Sequence, residues 1–279
     1  MGLWVRKLGL SAAVAAVIAP GDANAGRAAS TAGVDLVPHR AIYSLSMGRT
    51  NSSGQFVNVG GAVRAVLEKT CDAWISAEQV RMQVTTQSGG QLRQDLSFTG
   101  WESLDGRKYR FAARSSTNGE ITKYRGIAHS DPDTAGEAVY SEPKKNTMSL
   151  PSGTQFYFGL TSWLIEKARS GARRVETTVF DGTDEEGPQK AIAFIIPLKS
   201  MENRPKAKAN KNLGPLVDRP GWKMHMAFYP LGGQAAEPDY EVRAVVLDNG
   251  ITPKLELVFT SFTAIQTLEK IEALDEPEC

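Results

Sequence analysis

Three histidines, a cluster of carboxylates and two cysteines are the residues of this chain whose side chains reach beyond packing chemistry. His39, His129 and His225 lie on or beside separate strand-like patterns, with no spacing that sets two of them on one metal ion. The stretch FDGTDEEG gathers Asp181, Asp184, Glu185 and Glu186. Converging carboxylates can hold calcium, but this spacing does not match a calcium loop, and Asp181–Gly182 reads as an ordinary hairpin turn. No G-x-S-x-G elbow, H-E-x-x-H helix, phosphate loop or dinucleotide fingerprint occurs. No catalytic residue, metal site or cofactor is therefore expected, and the chain does not read as an enzyme. Asn51-Ser52-Ser53 fits the N-glycosylation pattern, a triplet common by chance. Cys71 and Cys279 could be free thiols, a pair, or remnants of a metal site, and the compartment decides between them.

The N-terminal residues speak to the compartment. Arg6 and Lys7 precede a 12-residue apolar run, Leu8 to Ala19, broken by Pro20–Gly21 and followed by Ala23-Asn24-Ala25. That is the layout of a secretory signal peptide, and the run is short of the ~20 residues a membrane span needs. Residues 1–25 are expected to be removed, leaving one domain, 26–279, with no transmembrane segment. No cysteine follows the cleavage site, so a lipid anchor is not expected. Of 32 basic and 31 acidic residues the leader holds Arg6, Lys7 and Asp22, so the remainder is balanced in charge. A balanced surface argues against nucleic acid as a partner. In an oxidising compartment two cysteines most simply form one disulfide, the alternative being an unpaired Cys279 on a frayed tail.

Strand signals dominate the elements that must carry these residues. RAIYSLSMG alternates Ile42 and Ser44 against Tyr43 and Leu45, and GQFVNVGGAVRAVLEKTC and DAWISAEQVRMQVTT are long extended runs. Asp105–Gly106, Asn118–Gly119 and Asn249–Gly250 are tight-turn signals between further strands. Strand–turn–strand succession means antiparallel neighbours, and roughly a dozen such strands must curl or close. One amphipathic helix is predicted near 154–170, with Pro151 and Thr154 before it and Gly171 after it. Phe156, Leu160, Trp163, Leu164 and Ala168 form its apolar stripe. The expected fold is thus mainly β: one large antiparallel sheet curled into an open barrel or spiral, the helix packed at its mouth. The stripe packs into the core or lines a ligand cavity there. ENRPKAKANKNLGPLVDRPG carries Arg204, Lys206, Lys208 and Lys211 with no acid between them. It reads as a solvated loop, or as a contact for anionic envelope material.

VPHRAIYSL, TCDAW, FTGWESLDGRKYRF, LPSGTQF and YEVRAVVLDNGI, in this order and with the cysteine pair, resemble the EipB-like periplasmic proteins. The resemblance implies an incompletely closed, spiral-like β-barrel with a small helical element over its mouth. It also implies a disulfide joining Cys71 and Cys279. The resemblance implies no known enzymatic activity. What it implies is a periplasmic role in envelope integrity through contacts with another periplasmic or envelope protein. The alternative is a carrier of an apolar envelope molecule, such as a lipid or acyl chain, in the curled sheet. GTQFYF departs from the family pattern, in which a proline and a polar residue follow the phenylalanine.

Overall fold

The computed structural model describes residues 34–50, 55–198, 213–232 and 236–279. The leader expected at 1–25, Asn51-Ser52-Ser53 and the basic segment around Arg204, Lys206, Lys208 and Lys211 lie outside them.

Fourteen strands form one antiparallel sheet. The first eight are β1 (His39–Thr50), β2 (Phe56–Lys69), β3 (Ala73–Thr86), β4 (Gln91–Ser103), β5 (Lys108–Thr117), β6 (Glu120–His129), β7 (Gly136–Glu142) and β8 (Asn146–Leu150). The helix α1 (Tyr157–Arg169) follows, then β9 (Arg174–Val179), β10 (Gln189–Pro197), β11 (Gly221–Pro230), β12 (Tyr240–Leu247), β13 (Lys254–Val258) and β14 (Phe262–Ala273). Their order across the sheet is β8 back to β1, then β14 back to β9. Two meanders are thus joined in the middle by β1 against β14, and the connection carrying α1 runs from one outer edge to the other. The edges do not pair as strands. One parallel bridge joins Gln155, in the segment between β8 and α1, to Val179 of β9; the Gln155 N–H donates to the Thr178 carbonyl and the Phe180 N–H to the Gln155 carbonyl, at 2.8 and 3.0 Å.

Period-two alternation builds the inner face. Ala41, Tyr43 and Leu45 are buried while Ile42 is 41 % exposed. Met224 and Met226 are buried on either side of His225, which faces out. The β5–β6 turn is the two-residue hairpin its Asn-Gly predicts, with Asn118 and Gly119 both at positive φ. Other expectations need correction. β7 and β8 were not among the predicted strands: both are short, and Pro143, Lys144 and Lys145 interrupt the pattern between them. Asp181–Gly182 is not a tight hairpin. Residues 180–188 form a longer connection that folds back against the sheet, where Phe180 is 2 % exposed.

The buried residues fall into two cores. The larger gathers the inner faces of β1–β4 and β10–β14 around Leu160, Leu164, Ile165 and Ala168 of α1. The smaller is aromatic: Phe98, Tyr109, Phe111, Tyr140, Phe156 and Phe180 with small residues between them. The C-terminal tail returns to the β2–β3 turn, bringing Cys71 and Cys279 to disulfide distance with Cα atoms 5.7 Å apart across 208 residues of sequence.

Candidate functional site

The interior beneath α1 is where polar groups converge. The helix has no conventional cap: Phe156 occupies the N-cap position and its side chain makes no capping bond. Thr154, expected to start the helix, instead donates its hydroxyl to the Pro151 carbonyl at 2.7 Å. The helix begins at Tyr157, inside its predicted bounds. The missing acceptor comes from β4. Glu102 receives the Phe158 N–H on Oε2 at 2.8 Å and the Gly159 N–H on Oε1 at 2.6 Å. A carboxylate there satisfies two of the orphan donors at a helix start and lies at the positive end of its dipole. Glu102 is 1 % exposed. Burial pushes its carboxyl up to about 7, against the pull of the two N–H groups.

Glu78 of β3 is a second inward acid. Its Oε1 accepts the Tyr157 hydroxyl at 2.7 Å. Burial raises the Glu78 carboxyl, with the Tyr157 bond acting the other way. Burial likewise raises the Tyr157 and Tyr43 hydroxyls, with Glu78 adding to both. Glu78 borders a cavity of about 150 Å³ whose wall includes Tyr43, Ser76, Leu160, Leu164 and Met226. Ser76 Oγ is buried there with no hydrogen-bond partner among the described residues. The two acids are joined to the first turn of α1, so their perturbed protonation goes with positioning the helix. Strand parity does place Glu78 and Glu102 on the inner face of DAWISAEQV and FTGWES. What they meet there comes from a helix more than fifty residues further along the chain.

The predicted stripe divides. Leu160, Leu164 and Ala168 are buried in the large core, whereas Phe156 precedes the helix and stacks on Tyr109 in the small core, ring centroids 4.9 Å apart. Trp163 is only half-buried, with Lys167 Nζ 5.6 Å from its ring, and Ile165, outside the stripe, is fully buried. The cause is rotation: the buried arc of α1 centres on 160, 164, 165 and 168, and 163 sits at its rim.

The histidines stand on β1, β6 and β11 without a common partner. His39 is buried, Nδ1 2.7 Å from the Val37 carbonyl, and burial lowers its pKa. His129 is exposed opposite Lys108 and Glu137. His225 Nε2 lies 2.9 Å from Glu241 Oε2, which also accepts from Arg243. The acidic stretch turns its bonds on itself. Asp181 Oδ1 accepts the Thr183 N–H and hydroxyl, and Asp184 Oδ1 the Glu186 N–H, each at 2.8 Å. Burial first and Asp181 second push the Asp184 carboxyl up to about 7. Among the described residues no group of three or more histidine, cysteine, aspartate or glutamate side chains is placed to hold a metal ion. No described helix is long and apolar enough to cross a membrane.

Fold and interior together define an open, curled β-sheet protein built around one internal helix. The chain belongs to the EipB-like family, whose model matches residues 30–275. It is 28% identical over 256 residues to the cell envelope integrity protein EipB of Brucella abortus (strain 2308), covering 90% of this chain and 89% of that one. The crystal structure of a β-barrel-like protein of a domain of unknown function from Brucella abortus superposes with a TM-score of 0.78. It is 25% identical, with 87% of this chain and all of the other covered.

Proposed function

We propose that this is a periplasmic protein that supports cell-envelope integrity without catalysing a reaction, through contacts with other envelope components. Kinship with an envelope integrity protein supports the role. The structural observation that carries the non-catalytic part is the occupancy of the interior. α1 and the inward side chains leave about 150 Å³ beneath the helix, and the buried acids there are engaged with the helix itself. Pockets for small molecules commonly run to ~300–1,000 Å³. The same volume weighs against carriage of an acyl chain, which would require α1 to move out of the sheet.

Deletion should sensitise cells to detergent and to cell-wall or membrane-directed antibiotics. Substitutions of His39, His129, His225, Asp181 or Asp184 that leave the protein folded should restore resistance in full. A folded single substitution among them that abolishes rescue would overturn the non-catalytic reading, because losing a catalytic group costs orders of magnitude in rate. Native mass spectrometry of protein from the periplasm addresses the carrier reading: a co-purifying lipid would revive it.

A further inference from the structure

We propose that the outer face of β4–β7 docks on the surface of an anionic phospholipid bilayer. The outward positions of β5 and β6 oppose one another as Lys108–His129, Arg110–Ile127, Ala112–Arg125, Arg114–Lys123 and Ser116–Ile121. Five lysines and arginines and no acid stand among those ten side chains, in a chain whose net charge is +1; on the flanking strands the same face carries Asp95, paired with Arg81, and Glu137, opposite His129. The face is therefore a local accumulation and not a product of basic composition. Arg125 is neutralised by Glu142 at 3.1 Å, while Lys108, Arg114 and Lys123 make no ion pair among the described residues. Arg114 and Lys123 are directly opposite, an arrangement that like charges disfavour. No ion pair among the described residues offsets it, and an external anion would.

Apolar side chains are interleaved with these charges. Ile127 is 58 %, Ile121 54 % and Val139 37 % exposed. Trp101, Arg110, Ile127 and Val139 form one row across four neighbouring strands. Within it the Arg110 guanidinium lies 4.6 Å from the centre of the Trp101 ring. Exposed aliphatics and an indole among cations suit a headgroup layer, which offers negative charge above and hydrocarbon just below. An acidic protein would match the charge but gives no separate reason for isoleucines that project singly. The inference rests on the envelope reading only for where such a bilayer would be met. Vesicle binding is measured on the purified protein, so its failure would leave the genetic test of envelope integrity untouched.

The test is co-sedimentation of the whole protein with vesicles of phosphatidylcholine alone and of phosphatidylcholine mixed equally with phosphatidylglycerol. Binding is expected to the mixed vesicles only and to fall as salt rises. Arg114→Gln with Lys123→Gln should weaken it roughly thirtyfold, since two bases near an anionic surface are removed. Ile127→Ser should weaken it less, and Lys223→Gln, on the outward side of β11, should leave it unchanged. Matching melting curves establish that the variants fold, and the salt dependence of the unaltered protein tests the proposal without any variant. Binding to neither vesicle, equal binding to both, or indifference to the double substitution would overturn it. So would cross-linking of this face to an acidic protein without vesicle binding.

Discussion

Around α1 the sheet closes on aliphatic side chains, whereas at the β4–β8 end it closes on rings. In the large core Leu160, Leu164 and Ile165 of the helix meet residues such as Val63, Met226 and Val246, groups that fill volume without demanding an angle. In the small core Phe111 meets Tyr140 and Phe180 edge-on, centroids 5.1 and 5.6 Å apart, and Tyr109 stacks on Phe156. The rings also carry polar handles. The Tyr109 hydroxyl donates to the Asp181 carbonyl at 3.1 Å and the Tyr140 hydroxyl to the Asp184 carbonyl at 2.8 Å. The connection after β9 is thus fixed against the far end of the sheet by direction as well as by burial. One core is specified by volume, with its orientation supplied by two acids at the helix start. The other is specified by geometry.

The largest effect should come from the link on the large-core side. If Cys71 and Cys279 pair, closing a loop of 208 residues stabilises by up to about 5 kcal/mol. Cys71→Ser and Cys279→Ser should lower the urea midpoint equally, and the double variant no further. Hydrogen exchange should rise first in β2, β3 and β14 and last in the aromatic end. Two reactive thiols in the native protein would refute the pairing.

Next is the geometric core. Phe111→Ala should cost roughly 3–5 kcal/mol. Gly182 has φ +74°, and a Cβ there would collide with the Phe111 ring, so Gly182→Ala should also destabilise strongly. The double variant should cost clearly less than the two singles together, because the ring that meets the new methyl is gone. Additive values from urea unfolding would mean that the loop does not pack as described.

In the volumetric core Ile165→Ala should cost about 2–5 kcal/mol, and Trp163→Ala, at the rim, about 1 kcal/mol. The reverse order in thermal unfolding would mean that the helix is rotated.

The smallest effect is electrostatic. The Glu102 carboxyl moves from its ordinary 4.5 to about 7 in the fold. Between those values the folded state keeps a proton that the unfolded chain has lost, so stability falls as pH rises from about 4.5 to about 7 and levels off above. Asp184 acts in the same sense from 3.8. Glu102→Gln should flatten its part of that decline, by ~1 kcal/mol or more across the interval. Urea midpoints on the two sides of the interval measure it, and an unchanged slope would mean that Glu102 is ionised throughout.

How much of this was legible follows the range of each interaction. Alternation of Tyr43 and Leu45 against Ile42 is local, and the sequence shows which of these residues share a face; which face is inward follows from the packing. Turn chemistry at Asn118–Gly119 is local too. Asp181–Gly182 has the same look, but its course is decided by Phe111, some seventy residues away. The helix start turned on Glu102 and not on Thr154 for the same reason: nothing within the neighbouring residues announces a cap donated from another strand. β7 and β8 carry too little apolar pattern to declare themselves and are held by pairing, β7 with β6 and β8 with β7. Closure into an open barrel came from strand number and from the family resemblance. The outer basic row needed the register of β5 against β6, which no single strand contains.

The pairing at the centre of the sheet has a consequence for how the protein comes into being. β1 spans residues 39–50 and its partner β14 residues 262–273, so the middle of the finished sheet joins strands more than 200 residues apart. The meander from β2 to β8 can assemble as the chain appears, but β1 must hold an open edge until β14 arrives. Non-local pairing of this kind slows folding, and an unpaired strand edge is a template for association with other chains. A chain crossing a membrane N-terminus first would therefore pass through a long interval of vulnerability, ended by its final strand. Truncations near the C-terminus should accordingly fail as aggregates and not as slightly weakened monomers.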